Sequence, residues 1–189
     1  MIRSFIAIEL SDKTKNNLKK IIAELSEVKA DVKWVSTVNL HITLKFLGNI
    51  KEDDILNIST IIKESSSDIE PFNLHIEGLG AFPDLKRPKI VFVNINDDKN
   101  SLFTIYERLE EKLSHLGIKR ESRKYKPHLT IGRVRYSKYI DKLANSIEIH
   151  KNDFIGDEQI ESIVLMTSEL LPKGPKYSKL DTINLGKIF

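Results

Sequence analysis

Two short segments of the sequence place a histidine and a threonine at alternate positions between apolar residues. Residues 41–44 (HITL) and 128–131 (HLTI) follow the same pattern, 87 positions apart (128 − 41). The chain has five histidines in 189 residues, and chance gives about 0.2 His-x-Thr triplets in a chain of this composition. Because successive side chains of a β-strand point to opposite faces, each segment predicts a strand with an apolar back and a His/Thr front.

Two such fronts facing one substrate would suit acid–base chemistry on an anion. A histidine has an unperturbed pKa of about 6.5, so His41 and His128 could divide proton removal and proton donation between them. The hydroxyls of Thr43 and Thr130 would donate to the oxygens of a group that gains charge in the transition state, such as a phosphodiester. A single strand histidine is more often structural, but its repetition with a threonine favours function.

The sequence offers no metal-ligand or phosphate-loop pattern. A zinc site needs three or four ligands at suitable spacing, and the chain has no cysteine, no His-x-His and no His-Glu-x-x-His. The GLGAF segment at 78–82 lacks the glycine and lysine spacing of a P-loop. We therefore expect no metal and no cofactor.

Composition is that of an ordinary globular protein, with 40% hydrophobic and 30% charged residues and a net charge of +3. The apolar run in the first ten residues is too short for a signal peptide, and no segment approaches the roughly 20 apolar residues of a membrane span. We expect a cytoplasmic protein that is monomeric and does not contact a membrane.

The chain repeats its layout with the same offset as the two motifs. In the first half, a strand at 4–10 precedes a helix capped by Ser11, the first His-x-Thr strand ending at Gly48-Asn49, a helix at 52–64 and a strand at 71–79. The second half has a strand at 89–96, a helix at 102–116, the second His-x-Thr strand, a helix at 138–147 and a strand at 160–167.

This repeat predicts an α+β fold of two similar lobes related by a pseudo-two-fold axis. Each lobe would be an antiparallel sheet backed by helices, with a central cleft between the two His/Thr fronts. No linker separates the halves, so residues 1–189 are expected to form a single two-lobed domain. The Pro- and Gly-containing segment 170–177 predicts a turn between two final strands.

Positive charge is concentrated just before and within the second motif. Residues 119–135 carry seven Lys or Arg against one acid, which is compatible with a solvated loop or with a surface that binds a polyanion.

Five segments together resemble one protein family along nearly the whole chain: RSFIAIEL, VNLHITLKFLG, GAFPDLKRPKIVF, KPHLTIGRV and LLPKGPKYSKL. They resemble the RNA 2′,3′-cyclic phosphodiesterases, or 2′-5′ RNA ligases, of the 2H phosphoesterase superfamily, whose signature is a pair of His-x-Thr-x motifs. The resemblance implies metal-independent hydrolysis of 2′,3′-cyclic phosphate RNA ends to 2′-phosphates. In some members it also implies reversible 2′-5′ joining of tRNA halves.

The resemblance implies His41 as proton donor, His128 as proton acceptor, and Thr43 and Thr130 as phosphate-binding residues. It also implies a phosphate contact for Arg133, five residues after the second histidine. Strict alternation would turn Arg133 away from the cleft, and a bulge at Gly132 would bring it back.

Three further residues are weaker candidates for substrate contacts. Lys45 has the strand parity to reach the cleft beside Thr43, although a solvated lysine would fit the same position. Tyr177 and Phe5 could stack on a base or serve as packing residues.

Other functions use the same residues and stay open. The substrate could be a small cyclic nucleotide or a 2′-5′ oligonucleotide, or the chain could be a non-catalytic module that binds RNA ends. The intact motifs argue against the last of these, and the basic segment favours a longer polyanion.

Overall fold

The computed structural model describes residues 1–136, 138–172 and 174–186 of the chain. Within these ranges nine strands and four α-helices follow one another, with two short 3-10 turns between them. Their bounds are β1 Ile2–Glu9, α1 Asp12–Ser26, β2 Val32–Trp34, β3 His41–Ile50, α2 Ile55–Ser66, β4 Phe72–Phe82, β5 Ile90–Asn96, α3 Ser101–Ser114, β6 His128–Val134, α4 Ile140–Ile149, β7 Phe154–Ile160, β8 Ser162–Leu171 and β9 Gly174–Asn184.

The strands form two antiparallel sheets. The first has the order β3-β1-β8-β9, and the second has the order β2-β6-β5-β4-β7. Each sheet contains one His-x-Thr strand, paired with the first predicted strand of the same half of the chain. In the first sheet β3 pairs with β1, and in the second β6 pairs with β5. The predicted α+β fold of two antiparallel lobes with helices is therefore confirmed.

The order of elements in the sequence suggested that each half of the chain forms one lobe. The structure differs, because each lobe contains strands from both halves. The strand predicted at 71–79 is β4, which pairs with β5 in the second sheet. The strand predicted at 160–167 corresponds to β8, which pairs with β1 in the first sheet. Two strands of each half therefore lie in the sheet of the other half: β2 and β4 belong to the second sheet, and β8 and β9 belong to the first. By position in the two sheets, β8 corresponds to β4 and β9 corresponds to β7.

The helices cross between the sheets in the same way. Helix α1 follows a strand of the first sheet but packs against β7 and α4, whereas α3 follows β5 and packs against β3 and α2. Ser11 caps α1 as predicted, because its hydroxyl accepts a hydrogen bond from the Thr14 amide. The exchange of strands and helices joins residues of both halves in the main hydrophobic core.

Several element bounds differ from the sequence prediction. The first motif strand does not stop at Gly48 but continues to Ile50, with Gly48 in a left-handed conformation at φ +72°. Strands β2 and β7 were not predicted. The turn predicted at 170–177 does join β8 to β9, although Lys173 within it lies outside the described residues. None of the described helices is long and apolar enough to cross a membrane.

Candidate active site

His41 stands at the start of β3 with its ring orientation fixed by two hydrogen bonds. Its Nδ1 lies 2.7 Å from the carbonyl oxygen of Asn39, and its Nε2 lies 3.0 Å from the Thr43 hydroxyl. A carbonyl can only accept a hydrogen bond, so Nδ1 carries the proton in the neutral ring. The Nε2 atom, which then accepts from Thr43 in the neutral ring, is left as the atom that can exchange a proton with a substrate.

His128 repeats this arrangement at the start of β6. Its Nδ1 donates to the carbonyl oxygen of Lys126 at 2.8 Å, the residue that corresponds to Asn39 when the chain is shifted by 87 positions. The Nε2 atom is again the one left for proton transfer. Both motifs therefore hold their histidine in the same tautomer by the backbone carbonyl two residues earlier.

Aromatic rings surround each histidine. The ring centroids of Phe5 and Tyr177 lie 4.9 and 5.3 Å from that of His41. Those of Phe82 and Phe92 lie 5.1 and 5.7 Å from that of His128, edge to face. These contacts restrict the imidazoles and partly remove them from water.

The apolar backs of both motifs are buried, as the alternation predicts. Ile42 and Leu129 have no exposed surface and belong to the main core, whereas Phe5, Ala7 and Tyr177 form a separate small cluster on the front of the first sheet. The cluster forms the floor on which His41 lies.

Each motif strand has a β-bulge directly after its threonine. In β3 the partners of Thr43 and Lys45 are the consecutive residues Ala7 and Ile6 of β1, so Leu44 is the extra residue. In β6 the partners of Thr130 and Gly132 are consecutive residues of β5, so Ile131 is the extra residue. The two bulges lie at equivalent positions, and each reverses the faces of the residues that follow it.

The bulge places Arg133 on the same face as His128 and Thr130. Arg133 is paired with Ile90 of β5. Ile90 lies two residues before Phe92 and therefore on the same face of β5, and the Phe92 ring packs on His128. Its side chain is exposed, and its charge acts on both histidines and on Tyr177. Arg133 is therefore close enough to both motifs for its charge to affect both histidines.

Both histidines are easier to deprotonate than a free imidazole. Burial is the largest cause that lowers the pKa of His41, and the charges of Lys15 and Arg133 lower that pKa further. Burial also lowers the pKa of His128, with further contributions from Lys126 and Arg133. A bound phosphate anion would oppose these positive charges and raise both pKa values.

The expectation that Lys45 reaches the cleft is wrong. Because of the bulge, Lys45 lies opposite Ile6 on the buried face, and its ammonium is 2.6 Å from the Glu110 carboxylate of α3. It also donates to the carbonyl oxygen of Lys119 at 2.7 Å, while Glu110 accepts from the Glu121 amide. Lys45 thus holds the start of the basic segment against the back of β3.

Phe46 is a cleft residue that the sequence reasoning missed. After the bulge it lies opposite Phe5, with ring centroids 6.2 Å apart, and 63% of its surface is exposed. It occupies the position equivalent to Arg133, so the offset of 87 already pointed to it. An exposed phenyl ring beside His41 offers a surface on which a nucleobase could stack.

Among the residues that the structure describes, no group of three or more His, Asp or Glu side chains comes together as a metal site would require. The chemistry that these side chains offer is proton transfer at two Nε2 atoms, hydrogen bonding by two hydroxyls, and one guanidinium charge.

Comparisons with known proteins identify the family to which the chain belongs. Residues 14–169 match the model of the 2′-5′ RNA ligase superfamily. The chain is 31% identical to the RNA 2′,3′-cyclic phosphodiesterase of Methanothermobacter thermautotrophicus over 97% of its own length and 99% of the relative. It is 35% identical to the protein of the same name from Methanocaldococcus jannaschii, over 93% of this chain and 96% of that relative.

Solved structures share the fold. A crystal structure of a Thermus thermophilus protein superposes with a TM-score of 0.81 at 23% identity, covering 98% of this chain and all of the other. Escherichia coli LigT in complex with 3′-AMP superposes with a TM-score of 0.79 at 20% identity, covering 98% of this chain and 99% of LigT.

Proposed function

The chain belongs to the 2′-5′ RNA ligase superfamily, and we propose that it hydrolyses 2′,3′-cyclic phosphates at RNA ends to 2′-phosphates without a metal ion. The relatives at about 30% identity over nearly the whole chain are named RNA 2′,3′-cyclic phosphodiesterases. The observation that carries the proposal is the pair of histidines held in one tautomer on equivalent strands, with the charge of Arg133 acting on both.

The proposed reaction moves two protons. His128 accepts a proton from water at Nε2 as the water oxygen bonds to phosphorus, and protonated His41 gives its Nε2 proton to the departing 3′ oxygen. The hydroxyls of Thr43 and Thr130 donate to the non-bridging phosphate oxygens, and Arg133 balances their growing charge. The near-symmetric geometry does not choose between the histidines, so the assignment of acid and base follows the family resemblance.

The proposed substrate class is RNA, because the basic segment is held close to the site. Arg123 and Lys124 are exposed in a loop that is anchored at one end by Lys45 and near the other by the stacked rings of Tyr106 and Tyr125, whose centroids are 4.1 Å apart. A fixed array of cations next to the second motif suits the phosphates that precede an RNA end.

The same chemistry also permits joining. If the 5′-hydroxyl of a second RNA takes the place of water, attack on the cyclic phosphate releases the 3′ oxygen and leaves a 2′-5′ bond. We include this reversible ligation, for which tRNA halves are one substrate, in the proposed function. Small cyclic nucleotides and 2′-5′ oligonucleotides are the alternative substrates.

An assay with cyclic-ended RNA tests the proposed function. Purified protein and an RNA ending in a 2′,3′-cyclic phosphate are expected to give the 2′-phosphate product, at the same rate with and without EDTA. Product identity is read by chromatography against 2′- and 3′-phosphate standards. Formation of the 3′-phosphate, or loss of activity in EDTA with recovery on adding zinc or manganese, would contradict the proposal.

Salt dependence distinguishes RNA from a small cyclic nucleotide as the substrate. For an RNA of ten or more nucleotides, the log of the apparent affinity is expected to fall with log salt, by about 0.7 for each phosphate contact. Arg123→Gln combined with Lys124→Gln should therefore reduce the slope by about 1.4. Lys19→Gln with Lys20→Gln, on the exposed surface of α1, is the matched control. If the two double variants have the same slope, the basic segment does not contact the RNA phosphates.

A further inference from the structure

A polar cavity of about 260 Å³ opens beside His128. Its walls are formed mainly by Glu77, Asn94, Asn96, Lys126, Lys151 and Asn152. Asn94 is the direct partner of His128 across the β5–β6 ladder, and side chains in such pairs lie about 5 Å apart. The cavity therefore begins beside His128 and extends from the start of β6 across β5 to β4.

A special backbone conformation builds the far wall of this cavity. Gly78 has φ +70° at a bulge in β4, where its amide donates to the Asp153 carbonyl at 2.9 Å. A Cβ atom at residue 78 would lie 2.2 Å from the carbonyl oxygen of Lys151, so only glycine allows the loop after α4 to dock there. The docked loop carries Lys151 and Asn152 into the cavity wall.

The amides of the cavity are arranged as hydrogen-bonding groups. Asn94 donates to the Gly78 carbonyl at 3.0 Å, and Asn96 donates to the Glu77 carboxylate at 2.5 Å. Each amide oxygen, together with the second Glu77 oxygen, remains able to accept from a ligand.

This chemistry suits a nucleoside better than a phosphate. A carboxylate in the wall repels a phosphate, but it accepts hydrogen bonds from ribose hydroxyls or from the amino groups of a base. The volume is close to the lower limit of about 300 Å³ for small-molecule sites, which limits the ligand to about one nucleoside. Lys126 and Lys151 provide positive charge for the phosphates that would flank it.

The geometry of in-line displacement indicates whether the cavity would hold the nucleoside that bears the cyclic phosphate or the nucleoside that bears the nucleophile. The nucleophile must approach phosphorus opposite the departing 3′ oxygen, so the nucleoside bearing the cyclic phosphate belongs on the side of His41, near Phe5, Phe46 and Tyr177. The cavity lies beside His128, the histidine that takes the proton of the nucleophile.

We propose that this cavity binds the nucleoside at the 5′-hydroxyl end of a second RNA strand, placing its 5′ oxygen where water would otherwise attack. The 5′ oxygen bonds to phosphorus, its proton passes to Nε2 of His128, the bond to the 3′ oxygen breaks, and His41 protonates that oxygen. The proposal rests on the proposed function, since it uses the same two histidines and the same cyclic phosphate.

Partitioning between the two nucleophiles tests the proposal. Adenosine 2′,3′-cyclic phosphate serves as donor and a 5′-hydroxyl RNA hexamer blocked at its 3′ end serves as acceptor, with the 5′-phosphorylated hexamer as a control that cannot react. The ratio of joined to hydrolysed product is measured for wild type, Asn96→Leu, Asn152→Leu and Asn73→Leu. Asn96, Asn152 and Asn73 are all exposed, and Asn73 on β4 does not line the cavity.

The ratio is expected to fall about tenfold in Asn96→Leu and in Asn152→Leu, the loss that follows removal of one hydrogen bond to the acceptor. Asn73→Leu should keep the wild-type ratio. Hydrolysis without any joined product in the wild type, or an equal ratio in all variants, would overturn the acceptor site and leave the proposed function standing. Absence of both products would instead contradict the proposed function itself.

Discussion

Thr43→Val and Thr130→Val are each expected to lower kcat by about 10²–10³, the loss seen when one donor to a developing anion is removed. Valine keeps the branched shape of threonine but cannot donate a hydrogen bond, and both positions lie on the cleft side of strands whose backs are fully buried. The fold should therefore be unchanged while the phosphate loses one hydroxyl. The measurement is kcat for a 2′,3′-cyclic-ended RNA under saturating conditions.

The two threonines should not behave identically, because only Thr43 is within hydrogen-bond distance of the ring of its own histidine among the described contacts, at 3.0 Å. Thr43→Val should also shift the pH dependence that belongs to His41, whereas Thr130→Val should only lower the rate. Thr43→Ser and Thr130→Ser keep the hydroxyl and are the matched controls. Near-normal turnover in both valine variants would make the hydroxyls structural and remove them from the proposed mechanism.

The front and back of each motif could be read from the sequence because alternation in a strand is a local property. Ile42 and Leu129 point into the core, and His41 and His128 point out of it, as a period of two requires. The bulge considered for Gly132 is present one residue earlier, at Ile131, and it turns Arg133 toward the cleft.

Lys45 shows why the same reasoning failed in the first motif. An extra residue in one strand is defined only by the partner strand, and nothing in the segment LKFLG marks Leu44 as unpaired. The bulge moved Lys45 to the buried face and Phe46 to the cleft. The repeat offered the missing information, because a bulge expected at Gly132 predicts one at the equivalent position 45.

The interleaving of the two halves also lies beyond local patterns. A strand such as β4 can pair with either sheet, since its alternating burial is satisfied equally well beside β1 or beside β5. What decides the pairing is the path of the chain around the helices, with α1 and α3 each crossing to the opposite sheet. The sequence therefore identified the class of fold and the repeat, while the exchange of strands between the two sheets required the structure.

His41→Ala and His128→Ala are each expected to lower the rate by about 10²–10⁴, the usual contribution of a positioned acid or base. Because burial, Lys15 and Arg133 lower the pKa of His41, and burial, Lys126 and Arg133 lower that of His128, the bell-shaped profile of kcat/KM should have its maximum below about pH 6.5. Below the maximum the base becomes protonated, and above it the acid loses its proton. Each alanine variant should lose one limb of the bell.

A substrate with sulfur at the 3′ leaving position separates the two roles. A thiolate departs without protonation, so the alanine variant that lacks the acid should recover activity, while the variant that lacks the base should not. With His41 as acid, the 3′-thio substrate should rescue His41→Ala alone, and circular dichroism should show both variants folded. Rescue of His128→Ala alone would reverse the roles, and with them the side of the phosphate from which a second RNA strand enters. Rescue of neither folded variant would contradict acid–base catalysis by this pair, because a histidine that only orients the substrate gains nothing from a better leaving group.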